Sequence, residues 1–76
     1  MQKVNEIATG LAIKQKCIES NLTPKELSNM FNVSLTTPYL WFTGKAMPRV
    51  DTLVALCGIF GCKIDDVIVT EADDEQ

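Results

Sequence analysis

Seventy-six residues, 46% of them hydrophobic, allow one small domain with a limited core, and a compact helical bundle or dimerisation is how so short a chain reaches useful stability. No apolar run approaches the roughly 18 residues of a membrane span, and a chain without histidine has no Ser-His or Cys-His pair for nucleophilic catalysis, so enzyme activity is not expected. The net charge of −3 is concentrated at one end: Glu71, Asp73, Asp74 and Glu75 lie in the last six residues, and removing them from ten acidic residues leaves six against seven basic ones, a formal +1 over residues 1–70.

The polar opening Met1 to Glu6 leads into no signal-like apolar block, and cytoplasmic residence is expected. Leu11 and Ile18, seven apart, and Ile13 and Cys17, four apart, predict a helix from Leu11 to Ser20, with Thr9 as its cap and Ser20-Asn21 as its stop. Lys14 and Lys16 interrupt its apolar positions, and its reading is scaffold. The next helix, about Pro24 to Phe31, is announced by local chemistry. Thr23 accepts a backbone N–H as N-cap, Pro24 suits the first helical position, and Glu26 completes a Thr-x-x-Glu capping box. Leu27 and Phe31 share its buried face, Lys25 and Asn29 face out, and Asn32 tolerates the left-handed conformation of a sharp exit.

Val33-Ser34 restarts the pattern for a third helix carrying Pro38, Trp41 and Phe42. Pro38 lacks the N–H that would bond the Ser34 carbonyl. The helix therefore begins either at Ser34 with a loosened first turn or later, with Thr37 as cap and Pro38 as first residue. Pro38 and Trp41 would face the core, leaving Leu35, Thr36, Tyr39, Leu40 and Thr43 toward solvent or a ligand. Gly44 supplies the exit, and Lys45 and Arg49 follow in a loop as a pair of cations suited to phosphate. From Val50 to Phe60 the spacing of Val50, Leu53, Val54, Cys57 and Phe60 predicts a helical face, closed by Gly61. A last short helix over about Ile64 to Val69 should turn Ile64, Val67 and Ile68 inward. Two regions follow: a domain over residues 1–70 and a disordered acidic tail over 71–76. Cys17, Cys57 and Cys62 are odd in number and lack Cys-x-x-Cys spacing; they read as small buried apolar residues, and neither a metal nor a cofactor is expected.

The second and third helices, joined by a short turn, form a helix-turn-helix, whose second member in many DNA-binding proteins lies in the major groove. The set Leu22-Thr23-x-x-Glu26-Leu27, Val33-Ser34, Tyr39-x-Trp41-x-x-Gly44-Lys45, Pro48, Asp51-x-Leu53-x-x-Leu56 and Asp65-Asp66 resembles the lambda-repressor/Cro-type helix-turn-helix family, also called the xenobiotic-response-element type, over roughly residues 7–69. The resemblance implies an all-α, compact five-helix lambda-repressor-like domain of the small stand-alone bacterial or phage-like kind. Its function would be sequence-specific binding of double-stranded DNA as a transcriptional regulator, as a homodimer. Carried over by position, Leu35, Thr36, Tyr39 and Leu40 would face base edges. Lys25, Thr37, Thr43, Lys45 and Arg49 would lie at the DNA backbone.

Two positions depart from the family pattern. Pro24 stands where a Gln often braces a phosphate contact, and Leu40 where Lys or Arg often follows the Tyr. From Leu35 to Thr43 there is then no Arg, Lys, Asn or Gln, the side chains of the commonest bidentate base contacts. An alternative function follows from the same residues. Leu35, Tyr39, Leu40 and Phe42 would form an apolar patch on the third helix that docks a protein partner without DNA.

Overall fold

The computed structural model describes residues 2–72, in the order β1 (Gln2–Val4), α1 (Glu6–Glu19), α2 (Pro24–Phe31), α3 (Thr36–Thr43), α4 (Val50–Phe60), a 3-10 turn (Ile64–Asp66) and β2 (Thr70–Ala72). α1 begins at Glu6 rather than Leu11. Asn5 and Thr9 are both cap-type residues, and Asn5 caps the helix: its backbone is extended (φ −87°, ψ 102°) and its side chain accepts the Ala8 N–H at 3.0 Å. Thr9 is instead fully buried inside the helix. Its hydroxyl accepts the Val69 N–H at 2.9 Å and donates to the Val69 carbonyl at 3.3 Å, pinning the C-terminal segment to α1.

Gly10 lies next to Thr9 inside α1, where glycine costs roughly 0.5–1 kcal/mol relative to alanine. Its reason is close packing on α3. A Cβ there would meet the Trp41 carbonyl oxygen directly and stand 2.9 Å from both the Phe42 carbonyl oxygen and the Gly44 amide nitrogen. Gly44 completes the fit from the other side: it ends α3 at φ 78°, and a Cβ on it would come within 2.7 Å of the Glu6 carbonyl oxygen. Two glycines thus let the backbone of α1 cross against the end of α3.

α2 follows its sequence chemistry closely. The Thr23 hydroxyl accepts the Glu26 N–H at 3.2 Å, and the Glu26 carboxylate accepts the Thr23 N–H at 2.9 Å. Asn32 ends the helix in the left-handed region, φ 54° and ψ 48°, as its residue type predicts. For α3 the loosened first turn is the form observed. The Thr37 N–H reaches the Ser34 carbonyl at 3.0 Å, taking the acceptor that Pro38 cannot bond, and the helix proper runs from Thr36.

α4 has the predicted extent and ends at Gly61 with φ 71°, but its buried face is rotated. Leu53, Leu56 and Cys57 are buried with Phe60 half-buried, whereas Val50 and Val54 are 76% and 52% exposed. The physical reason is that this helix is apolar nearly all round, so two overlapping stripes share its helical period and spacing alone cannot select one.

The predicted fifth helix is a single 3-10 turn, which leaves four α-helices among the described residues. Asp66 accepts the Lys63 N–H at 2.9 Å and opens the turn, but Val69 is held by Thr9 and by Asn5, whose N–H donates to the Val69 carbonyl at 2.7 Å. Those bonds draw the chain out of helix. Val67 is fully buried and Ile68 half-buried as expected, while Ile64 is 37% exposed. β2 then pairs antiparallel with β1, Lys3 opposite Glu71 and Val4 opposite Thr70. The domain is therefore mostly helical with a two-stranded sheet, and residues 71 and 72, assigned by sequence to the acidic tail, belong to a strand paired through its backbone with β1. Residues 73–76 of that tail lie outside the described residues.

The core joins Ile13 and Cys17 of α1, Leu27 of α2, Trp41 and Phe42 of α3, Leu53, Leu56 and Cys57 of α4, and Val67. Phe31 and Trp41 meet edge to face, centroids 6.1 Å apart at 74°, which fastens the two helices of the helix-turn-helix together.

Candidate nucleic-acid interface

α3 shows two faces. Pro38, Trp41 and Phe42 are buried, and their spacing turns Leu35, Thr36, Tyr39 and Thr43 outward. Leu35 is 52% and Tyr39 53% exposed, Thr36 and Thr43 are exposed, and Leu40 and Thr37 are half-buried. Phe42, which sequence spacing assigns to an apolar docking patch, is a core residue: only 9% exposed, its ring lies edge-on to Tyr39 at 6.4 Å. The reading face is therefore a short row of aliphatic, hydroxyl and phenol groups.

Both hydroxyls assigned to the DNA backbone are engaged within the protein. Thr37 Oγ1 is 3.0 Å from Ser34 Oγ at the start of α3, and Thr43 Oγ1 lies 3.1 Å from the Tyr39 carbonyl and 3.2 Å from that of Leu40 at its end. Each oxygen keeps lone pairs, but the Thr43 proton is shared between two carbonyls and cannot also serve a phosphate. In the Ser34–Thr37 pair one hydroxyl donates to the other and the accepting one keeps its own proton, so donation to phosphate falls to that hydroxyl and to the cations. Lys25, Lys45 and Arg49 are all exposed. Lys25 stands in the first turn of α2, Lys45 follows Gly44 at the end of α3, and Arg49 borders a recess formed with Asn32 and Val33 of the helix-turn-helix turn. Arg49 Nε is 3.9 Å from Asp51 Oδ1, with both side chains more than three-quarters exposed, a loose pair that solvent screens. Among the described residues neither Lys25 nor Lys45 is in an ion pair.

Sequence spacing missed a second feature bordering α3. Ile7, Leu11, Lys14 and Ile18 lie on one outward face of α1, and together with Leu22, Pro24, Tyr39, Phe42 and Thr43 they surround an apolar groove of about 500 Å³ with Cys17 at its base. Ile7, Leu11 and Ile18 are each more than half exposed. The available signal was the 4-3-4 spacing of those α1 residues, in which Lys14 reads as an interruption rather than as a member of the face.

Burial pushes the Cys17 thiol up to about 11. Cys57 is raised too, by burial first and then by the adjacent Cys62 and Asp66. Both therefore remain neutral at pH 7, without the thiolate that nucleophilic chemistry requires. Among the described residues no group of three or more Cys, Asp or Glu is placed to hold a metal ion, and no helix is long and apolar enough to cross a membrane.

The model of one domain family, the Cro/C1-type HTH DNA-binding domain, matches residues 12–73. No curated protein and no solved structure matches the chain. The matched range runs from within α1 to just past β2, and so takes in the helix-turn-helix with Lys25, Lys45 and Arg49.

Proposed function

Because the chain belongs to the Cro/C1-type HTH DNA-binding domain family, we propose that it regulates transcription by laying α3 in the major groove of operator DNA as a homodimer. In this reading Leu35, Thr36, Tyr39 and Leu40 meet base edges. Leu35 packs on a thymine methyl, and the Thr36 and Tyr39 hydroxyls supply hydrogen bonds. Lys25, Lys45 and Arg49 neutralise phosphates, with Thr37 and Thr43 beside the backbone. The observation that carries the reading is the polarity of α3: three residues anchor one side in the core while Leu35 and Tyr39 stand more than half exposed on the other, flanked by cations.

Three cations are a modest footprint, and pairing two protomers on successive half-sites doubles it. A salt titration on random duplexes tests this. The slope of log K against log salt should be about −3 for one protomer and about −5 for a dimer. Absence of binding at low salt, where phosphate contacts are strongest, overturns the reading.

A second reading has its own observation. Leu35 and Tyr39 are exposed apolar side chains on a helix that offers no bidentate base-reading residue, so the same face could dock a protein instead of DNA. Leu40→Lys separates the two. It raises duplex affinity and steepens the salt slope by about one unit if α3 faces DNA, and it breaks a protein complex if α3 faces a partner.

A further inference from the structure

We propose that the groove between α1 and α3 is a binding site for a small apolar anion, an aliphatic or aromatic carboxylate or sulfonate. Its volume of about 500 Å³ falls in the range of roughly 300–1,000 Å³ typical of small-molecule sites. The walls are apolar: Ile7, Leu11 and Ile18 from α1, Leu22 beyond it, and the rings of Tyr39 and Phe42 from α3. The base is the Cys17 side chain, 1% exposed. An occupant would remove from water three aliphatic side chains that are now 57–66% exposed.

The charge of the occupant follows from Lys14. Among the described residues lining the groove it is the charged one, and it is in no ion pair with any described residue. Thr43 offers lone pairs but has committed its proton to the Tyr39 and Leu40 carbonyls; the side-chain donors left in the lining include the Tyr39 phenol and the Lys14 ammonium, of which the ammonium carries the charge. An apolar body with one anionic group matches this arrangement, its tail in the groove and its head at Lys14.

A second copy of the chain is the rival occupant, because the 4-3-4 spacing on α1 reads the same in both directions. The antiparallel pairing that sets Ile7 against Ile18 of a second copy also sets Lys14 against Leu11, which would bury an unpaired ammonium on an aliphatic side chain twice in the seam. Charge therefore favours the small anion. Tyr39 and Thr43 line the groove and also belong to the proposed DNA face, so an occupied groove should weaken DNA binding; this coupling alone rests on the DNA reading.

The test is a titration of the full chain, without DNA, with octanoate and with 1-octanol, followed by backbone amide NMR and by displacement of 8-anilinonaphthalene-1-sulfonate. Octanoate should bind saturably below about 1 mM and shift amides of α1 and α3. Lys14→Gln should weaken octanoate about threefold and leave octanol unchanged, and Leu11→Asp, at an exposed position, should abolish both. The proposal is overturned by absence of saturable binding, by binding that survives Leu11→Asp, by equal response of acid and alcohol to Lys14→Gln, or by self-association of the free chain that Leu11→Asp abolishes. Octanoate is then added to a DNA titration, where it should lower affinity. Unchanged affinity removes the coupling and leaves the site, and failure to bind DNA at all removes the DNA reading and leaves the site.

Discussion

The two helices that flank the helix-turn-helix each carry a glycine within the helix, and the two glycines are opposite in kind. Gly10 of α1 is buried against three backbone atoms of α3 and its following turn, whereas a Cβ on Gly58 of α4 would meet nothing within 4 Å. α1 is clamped: Gly10 allows its backbone to touch the end of α3, and Thr9 ties it to Val69. α4 contributes Leu53, Leu56 and Cys57 to the core but leaves an outer face of Val50, Val54, Gly58 and Ile59 bare. Residue type alone does not distinguish these environments; what the Cα faces does. The comparison also assigns roles, because the orientation of α3 depends on α1 far more directly than on the outer side of α4.

Gly10→Ala should break this arrangement with the largest effect. The new methyl collides with backbone atoms, which cannot yield as a flexible side chain can, so α1 must lift off α3. Chemical denaturation should show a loss of about 3 kcal/mol or more. A loss below about 1 kcal/mol would mean that the contact is loose and that α1 does not fix α3.

The buried thiol of α1 gives a pH handle on the same contact. Cys17 titrates at about 11 in the folded chain against an ordinary value of 9.0. A raised acid favours the folded state fully below the unfolded value and loses that contribution as pH climbs toward the folded one. Stability should therefore fall between about pH 9 and pH 11 by an amount on the order of 2 kcal/mol. Cys17→Ala should make that part of the stability profile shallower, leaving the share that belongs to the Cys57 thiol, which is also raised. An unchanged alkaline profile in the variant would show that Cys17 is solvated and α1 less tightly seated.

Thr9→Val tests the second tie of α1, because it nearly preserves the shape of a fully buried residue and replaces its hydroxyl by a methyl. The Val69 N–H then loses its partner inside the protein, at a cost of about 1–3 kcal/mol. Faster amide exchange at Val69 and in β2 would locate the loss in the C-terminal segment; exchange confined to α2 would contradict the tie.

These sites also mark where sequence reading succeeds and where it stops. α2 was legible almost to the residue because Thr23, Pro24, Glu26 and Asn32 each act within one turn of the chain. The outward set of Leu35, Thr36 and Tyr39 was legible because Pro38 and Trp41 fix the phase of α3. Phe42, the rotated face of α4 and the bonds of Thr9 to Val69, which lie 60 residues apart, depend on which neighbour a face meets in the fold, and no local pattern encodes that. The groove was hidden for a related reason. Its walls come from α1 and α3, and Lys14 becomes a meaningful member only when both are in place.

Gly58→Ala is the smallest expected effect and completes the comparison. Gly58 is exposed, has helical backbone and faces open space, so alanine adds no contact and removes only unfolded-chain freedom. The variant should be more stable by about 0.5–1 kcal/mol, with DNA affinity unchanged. If Gly58→Ala instead destabilised the chain in a concentration-dependent way, the bare face of α4 would be covered in solution by a second copy. That result would place the dimer contact on α4 and would leave the α1 groove free, since Val50, Val54 and Ile59 lie on a helix that contributes nothing to the groove.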